Sequence, residues 1–178
     1  MTTRPATVDD APAVAALVTQ LGYNASAEEV RGRLARLLPR PDQRFIVAEI
    51  DGRLIGWLHV DVVEYIDSEA YAHIGGLVVD RDQRRQGIGA ALIAEAEAWA
   101  RKQGCALIRL RSSATRTAAH RFYESLGYAN VKMQYTFAKA LDDRGVAMAG
   151  RLVPRVDAET PVTRGKQVAP IDTEAGTR

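Results

Sequence analysis

The chain has one cysteine, Cys105, among 178 residues. It can form no internal disulfide, so packing rather than cross-links must hold it together. Histidine is equally scarce: His59, His73 and His120 are scattered without ligand spacing, and no metal site is expected. No apolar run approaches the roughly 20 residues needed to cross a bilayer. The opening Met1-Thr2-Thr3-Arg4-Pro5 lacks the apolar core of a signal peptide. A soluble, cytoplasmic protein without a membrane partner is expected. Neither sign of charge dominates, since 24 basic residues face 22 acidic ones for a net +2, and no nucleic-acid partner is expected. Aromatic residues make up only 6%, the last being Phe137.

What is present suits one well-filled core and therefore one domain. From Asp142 onward, Gly145, Gly150, Pro154, Pro161, Gly165 and Pro170 are mixed with isolated valines that follow no period. Such a segment buries too little to offset its chain entropy. A folded domain over 1–141 and a disordered tail over 142–178 are expected.

Local signals divide the domain into alternating elements. Thr7-Val8-Asp9-Asp10 and Ser26-Ala27-Glu28-Glu29 resemble capping boxes, and each opens a helix, the first closed by Gly22 and the second by Pro39. Arg44–Ile50 and Leu54–Val60 flank Asp51-Gly52, a strong hairpin signal. A third strand runs from about Ala70 to Val79. The next helix places Ile88, Ala91, Leu92, Ala96 and Trp99 on one face and ends at Arg101, Lys102 and Gly104. A strand over Ala106–Leu110, a helix through Ala119, Phe122, Tyr123 and Leu126, and a last strand over Val131–Phe137 complete the order βααβββαβαβ. This is an α/β (α+β) domain with a mixed, mainly antiparallel central sheet flanked by helices.

Between the third strand and the following helix lies Asp80-Arg81-Asp82-Gln83-Arg84-Arg85-Gln86-Gly87-Ile88-Gly89-Ala90. Glycines let several N–H groups converge, and the helix adds unpaired N-terminal donors and its positive dipole end. The pattern reads as a phosphate cradle. A solvated turn, with Asp80 and Asp82 neutralising the arginines, is the alternative. A Rossmann dinucleotide turn fits poorly, because Leu92 stands at the third glycine position and the next strand ends in Arg109-Leu110-Arg111.

The element order and Arg84-Arg85-Gln86-Gly87-Ile88-Gly89 resemble the Gcn5-related N-acetyltransferases, whose acetyl-CoA motif has this spacing. Ala119-His120-Arg121-Phe122-Tyr123-Glu124-Ser125-Leu126-Gly127-Tyr128 is similar to a second segment of that family. The resemblance spans roughly residues 3 to 140. It implies transfer of an acetyl group from acetyl-CoA to a primary amine, on a small molecule or a peptide, by direct attack through a tetrahedral intermediate. A non-catalytic CoA-binding or protein-interaction module on the same fold is the alternative. A homodimer is compatible with either.

The resemblance also implies roles. The strand before the turn would splay from its neighbour, so that Leu77, Val78 and Val79 pair with the pantetheine arm and Val78 N–H faces the thioester oxygen. Arg84, Arg85, Gln86, Gly87, Ile88, Gly89 and Ala90 would hold the pyrophosphate. Tyr123 matches the tyrosine that serves as general acid, a phenol protonated at neutral pH and able to protonate the departing thiolate. It also shares a face with Ala119, Phe122 and Leu126, as a core residue would. The family's asparagine seven positions earlier is Arg116 here, so its pantetheine contact is not carried over, and an approach of Arg116 to a CoA phosphate is expected instead. For a base, Glu64, Glu69 and His73 sit on or beside the strands lining the acceptor side, and strand alternation places His73 with Leu77 and Val79. Leu21-Gly22-Tyr23-Asn24, Tyr65, Asp67 and Tyr71 lie near the expected acceptor pocket.

Overall fold

The structure, a computed structural model, describes residues 1–143, 145 and 146. The chain divides into two units, Met1–Asn130 and Val131–Arg178.

The first unit is a five-stranded sheet in the order β1-β2-β3-β4-β5 with helices on both faces. Its elements are β1 (Thr2–Pro5), α1 (Ala11–Thr19), α2 (Ala27–Leu37), β2 (Gln43–Ile50), β3 (Arg53–Tyr65), β4 (Ser68–Val79), α3 (Ile88–Lys102), β5 (Ile108–Leu110) and α4 (Thr117–Ser125). Neighbouring strands are antiparallel except β4 and β5, which run parallel. The expected order holds through α4.

Each boundary has a local cause. A short 3₁₀ turn, Val8–Asp10, precedes α1, and the Asp10 carboxylate accepts the Thr7 N–H at 2.7 Å. At α2 the reciprocal box forms in full: Ser26 N–H donates to Glu29 at 2.7 Å and Glu29 N–H to Ser26 Oγ at 3.1 Å. Asp51 and Gly52 both take positive φ, 50° and 75°, the conformation a two-residue hairpin turn requires. β3 and β4 run further than their apolar patterns indicate and meet at Tyr65 and Ser68. The turn between them, Ile66-Asp67, contains no glycine or proline to announce it.

Two apolar layers bury the sheet. Ile46, Ile55, Leu58, Val60, Ala72 and Ile74 pack against Ile88, Leu92, Ile93 and Ala96 of α3, with Phe122, Tyr123 and Leu126 of α4 closing the edge. On the other face Val47, Trp57 and Val78 meet Val14 and Leu17 of α1 and Val30 and Leu34 of α2.

In the second unit, residues 131–141 form neither helix nor strand, so the expected strand over Val131–Phe137 is not there. Val131, Met133, Tyr135 and Phe137 keep the alternation that suggested it, but each is at least 80% exposed. A strand needs a paired neighbour for its backbone groups, and no described residue supplies one. Asp142 starts a helical turn in which its carboxylate accepts the Gly145 N–H at 2.8 Å. The rest of the expected tail lies outside the described residues.

The N-terminal strand is tied to α1 by a two-pronged ion pair, Arg4 Nη2 to Asp10 Oδ1 at 2.8 Å and Nη1 to Oδ2 at 2.9 Å, while Arg4 Nε reaches Glu49 at 3.0 Å. The hydrogen bonds from Arg4 hold the Asp10 carboxyl below its ordinary value despite partial burial. A carboxyl with a depressed folded pKa stabilises the protein above its unfolded pKa, about 4, and loses that contribution as pH falls through the folded value. Asp10→Asn should therefore lower stability at pH 7 and flatten the loss of stability below pH 4, read by urea titrations across that range.

Candidate functional site

β4 pairs with β5 over three positions only, Ala72 to Ile74 against Ile108 to Leu110. Beyond Ile74 it continues to Val79 with β3 alone beside it. The two parallel strands therefore part, and the edge of β4 that follows is open. The Asp80 N–H donates to Ile55 O of β3 at 2.8 Å. Because alternate residues of a strand turn their backbone groups to opposite neighbours, Val78 N–H also faces β3, while Leu77 and Val79 face the open edge. Of the three residues expected to pair with the cofactor, Leu77 and Val79 therefore turn their backbone groups to the open edge, and Val78 turns its own to β3.

A bulge at Gly75 reverses the side-chain parity of β4, since His59 stands opposite Gly76 and Val60 opposite Ile74. His73 thus shares a face with Val78 and Trp57, not with Leu77 and Val79 as uninterrupted alternation requires. Two glycines make this possible. A Cβ on Gly76 would sit 2.8 Å from the Trp57 ring, and one on Gly75 would sit 3.2 Å from His59 Nδ1. The Gly-Gly pair inside an apolar run is a signal of close approach that the periodicity reading passes over.

The open edge leads into the glycine turn. Arg85 and Gly87 both have positive φ, 63° and 79°, so the backbone doubles back before α3 begins. Between Arg85 and Ala90 no N–H donates to a described group, which leaves a row of donors at a helix N-terminus. The arginines meet no carboxylate either, although Arg84 Nε reaches Val79 O at 3.4 Å. Asp80, buried at 5% exposure, binds Arg53 Nη2 at 2.9 Å and the Asp82 N–H at 3.1 Å. Among the described residues no carboxylate forms an ion pair with Arg81, Arg84 or Arg85. Asp80 therefore does not neutralise the cluster; its charge is engaged on the other side of the turn.

Gly87 and Gly89 have different reasons to be glycine. Gly87 takes the left-handed cap of α3, whereas a Cβ on Gly89 would lie 3.0 Å from Phe122 Cζ. The turn and the Phe122-Tyr123 segment are therefore in contact. Tyr123 is half-buried beside Phe122 and Tyr128, with ring centroids 5.3 and 6.0 Å away, and its hydroxyl bonds to no described group. Burial raises its phenol above the ordinary value, against the opposing charge of Arg116. Tyr128, by contrast, donates to Glu97 at 3.1 Å.

The three base candidates separate. Glu64 and Glu69 are exposed at the far end of the β3–β4 hairpin. His73 stands next to the point where β4 and β5 part, with Nδ1 3.3 Å from Asp61 Oδ1. Tyr71 is buried beneath the Arg109 guanidinium, 4.3 Å from the ring centroid, and Arg109 is in register with His73. Tyr23 and Tyr65 are exposed. Sequence reasoning missed Asp61, Arg109 and also Ser112, whose Oγ is buried without a hydrogen-bond partner just past β5. Nothing in their local pattern separates them from ordinary strand residues. Among the described residues no three His, Cys, Asp or Glu gather as a metal site, and no helix is long and apolar enough to cross a membrane.

The model of the Acetyltransferase (GNAT) family matches residues 14–128. An aminoglycoside N(6')-acetyltransferase type 1 of Serratia marcescens is 28% identical over 138 residues, covering 75% of this chain and 94% of the relative. The aminoalkylphosphonate N-acetyltransferase of Salmonella typhimurium is 32% identical over 140 residues, covering 78% and 90%. An aminoglycoside N-acetyltransferase solved in complex with CoA superimposes with a TM-score of 0.68 at 20% identity, over 78% of this chain and 98% of that one.

Arg84 is exposed and makes no ion pair, so Arg84→Ala should leave the melting temperature unchanged. It should raise the CoA dissociation constant about tenfold, the loss of one charge-assisted bond of about 1.5 kcal/mol, measured by calorimetric titration.

Proposed function

Because this chain belongs to the acetyltransferase (GNAT) family and is an acetyl-CoA-dependent N-acetyltransferase, we propose that it acetylates the primary amine of a small molecule by direct attack on the thioester. The observation that carries the reading is the open edge of β4 running into a turn with unpaired donors and guanidinium groups. The pantetheine amides pair with Leu77 and Val79, and the pyrophosphate rests on Arg84 to Ala90.

The amine nitrogen attacks the carbonyl carbon, and the oxyanion forms against Leu77 N–H, a backbone donor already aimed at the cleft. Collapse breaks the C–S bond, and the thiolate takes the Tyr123 proton. Burial favours the neutral phenol, the form that carries the proton the thiolate takes. Of the three base candidates, His73 suits proton removal, because it alone lies beside the parting of β4 and β5.

The relatives' names point to two acceptor classes, aminoglycosides and aminoalkylphosphonates. Arg109 over Tyr71, without a carboxylate partner among the described residues, favours an amine that also carries an acidic group. A thiol-release assay over both classes ranks them: a higher kcat/KM for the aminoglycoside rejects the preference for an acidic amine, and acetyl-CoA binding without release from any amine rejects the reaction. Tyr123→Phe should lower kcat about 10²-fold, the scale of one general acid, while the acetyl-CoA dissociation constant stays within twofold. An unchanged kcat with chemistry rate-limiting would remove Tyr123 from the mechanism.

A further inference from the structure

The geometry points to Asp61 as a positioning residue that holds His73 in the one tautomer able to accept the acceptor amine's proton; this rests on the acetyl-transfer reading above. Asp61 and His73 are direct partners across the β3–β4 ladder, and their side chains meet at 3.3 Å. Both are largely buried, with side chains 24% and 20% exposed. No Lys or Arg among the described residues lies within ion-pair distance of Asp61; His73 does, while His59 and Arg40 act on it from further away.

An ionised carboxylate only accepts hydrogen bonds. Facing Asp61, Nδ1 of His73 must carry the hydrogen, which leaves the lone pair on Nε2, the far side of the ring. Only this arrangement presents a base to a substrate. The proton leaving the amine then resides on Nε2, and the resulting imidazolium is stabilised by the Asp61 charge, as the amine nitrogen completes its bond to the acetyl carbon.

The surroundings support the pairing. His59, the nearest competitor for Asp61, is held by Gln43 through Nε2 at 3.1 Å, and burial lowers its pKa against the opposing pull of Asp61. Its ring is pressed against Gly75, where any larger residue would displace it. The remaining groups around His73 are Arg109 on β5, Tyr71 on β4 and Arg40 in the turn after α2, which acts on Asp61 only at longer range. None offers Nδ1 an alternative acceptor within hydrogen-bond distance.

The test reads the tautomer directly. In the full chain labelled with ¹⁵N-histidine, NMR above the histidine titration should show His73 protonated at Nδ1, and Asp61→Ala should move that proton to Nε2. In steady-state assays D61A should lower kcat about 10²-fold, the range of a lost general base, with the acetyl-CoA KM within twofold, and Asp61→Glu should recover part of the loss. In a His73→Gln background D61A should cost nothing more, because the two act as a unit. Should D61A fail to fold by thermal melting, Asp61→Asn supplies the same cycle. A wild-type His73 protonated at Nε2, or losses that multiply in the double variant, would overturn the role of Asp61 alone. Absence of turnover with every amine overturns the acetyl-transfer reading and the pair with it.

Discussion

One constraint organises the molecule: β4 keeps its antiparallel neighbour to the end but loses its parallel one after Ile74. A central strand with one unpaired edge is ordinarily a liability, since its N–H and C=O groups must find partners or face water. Here those groups are presented at the place where an extended amide-bearing arm can pair with them. The same strand then delivers its last residues into the turn that begins α3. The open strand edge and the turn's unpaired donors thus follow one another along a single departure from regular sheet geometry.

The parting depends on what packs behind it. Leu92 and Ile88 of α3 lie over Gly56 of β3, where an added Cβ would come within 3.3 and 3.5 Å of them, so the helix that receives the turn is anchored to the strand beside the cleft. Phe122 fills the space that the missing side chain at Gly89 leaves, which fastens α4, and with it Tyr123, to the start of α3. The two segments that resemble a family separately in sequence are one packed unit in space. The general-acid role proposed for Tyr123 would need that rigidity, because proton transfer is steep in distance and angle.

Most of the architecture was legible. Capping boxes, Asp51-Gly52, the helical period from Ile88 to Trp99 and the Gly87-x-Gly89 turn each state a local preference that tertiary packing left intact. What could not be read was parity and partnership. A one-residue bulge at Gly75 inverts which side chains share a face, and period-two reasoning carries no information about where such a bulge falls. Asp61 became significant only through its ladder partner, a relation between residues twelve apart that no local pattern encodes. The strand expected at Val131 failed for a related reason: alternation describes a face, whereas a strand also requires an edge to pair with.

The salt link between Arg53 and Asp80 reaches beyond stability. By drawing the one buried carboxylate of the turn toward β3, it leaves Arg81, Arg84 and Arg85 without an ion-pair partner among the described residues, and with them an excess of positive charge over Asp82. Such a field acts before contact, out to a screening length of about 8 Å at physiological ionic strength. It raises the frequency with which a polyanionic ligand arrives phosphate-first rather than in some other orientation. The hairpin residue Arg53, which lies apart from the proposed Arg84–Ala90 cradle, would thereby help to set the rate and the direction of capture.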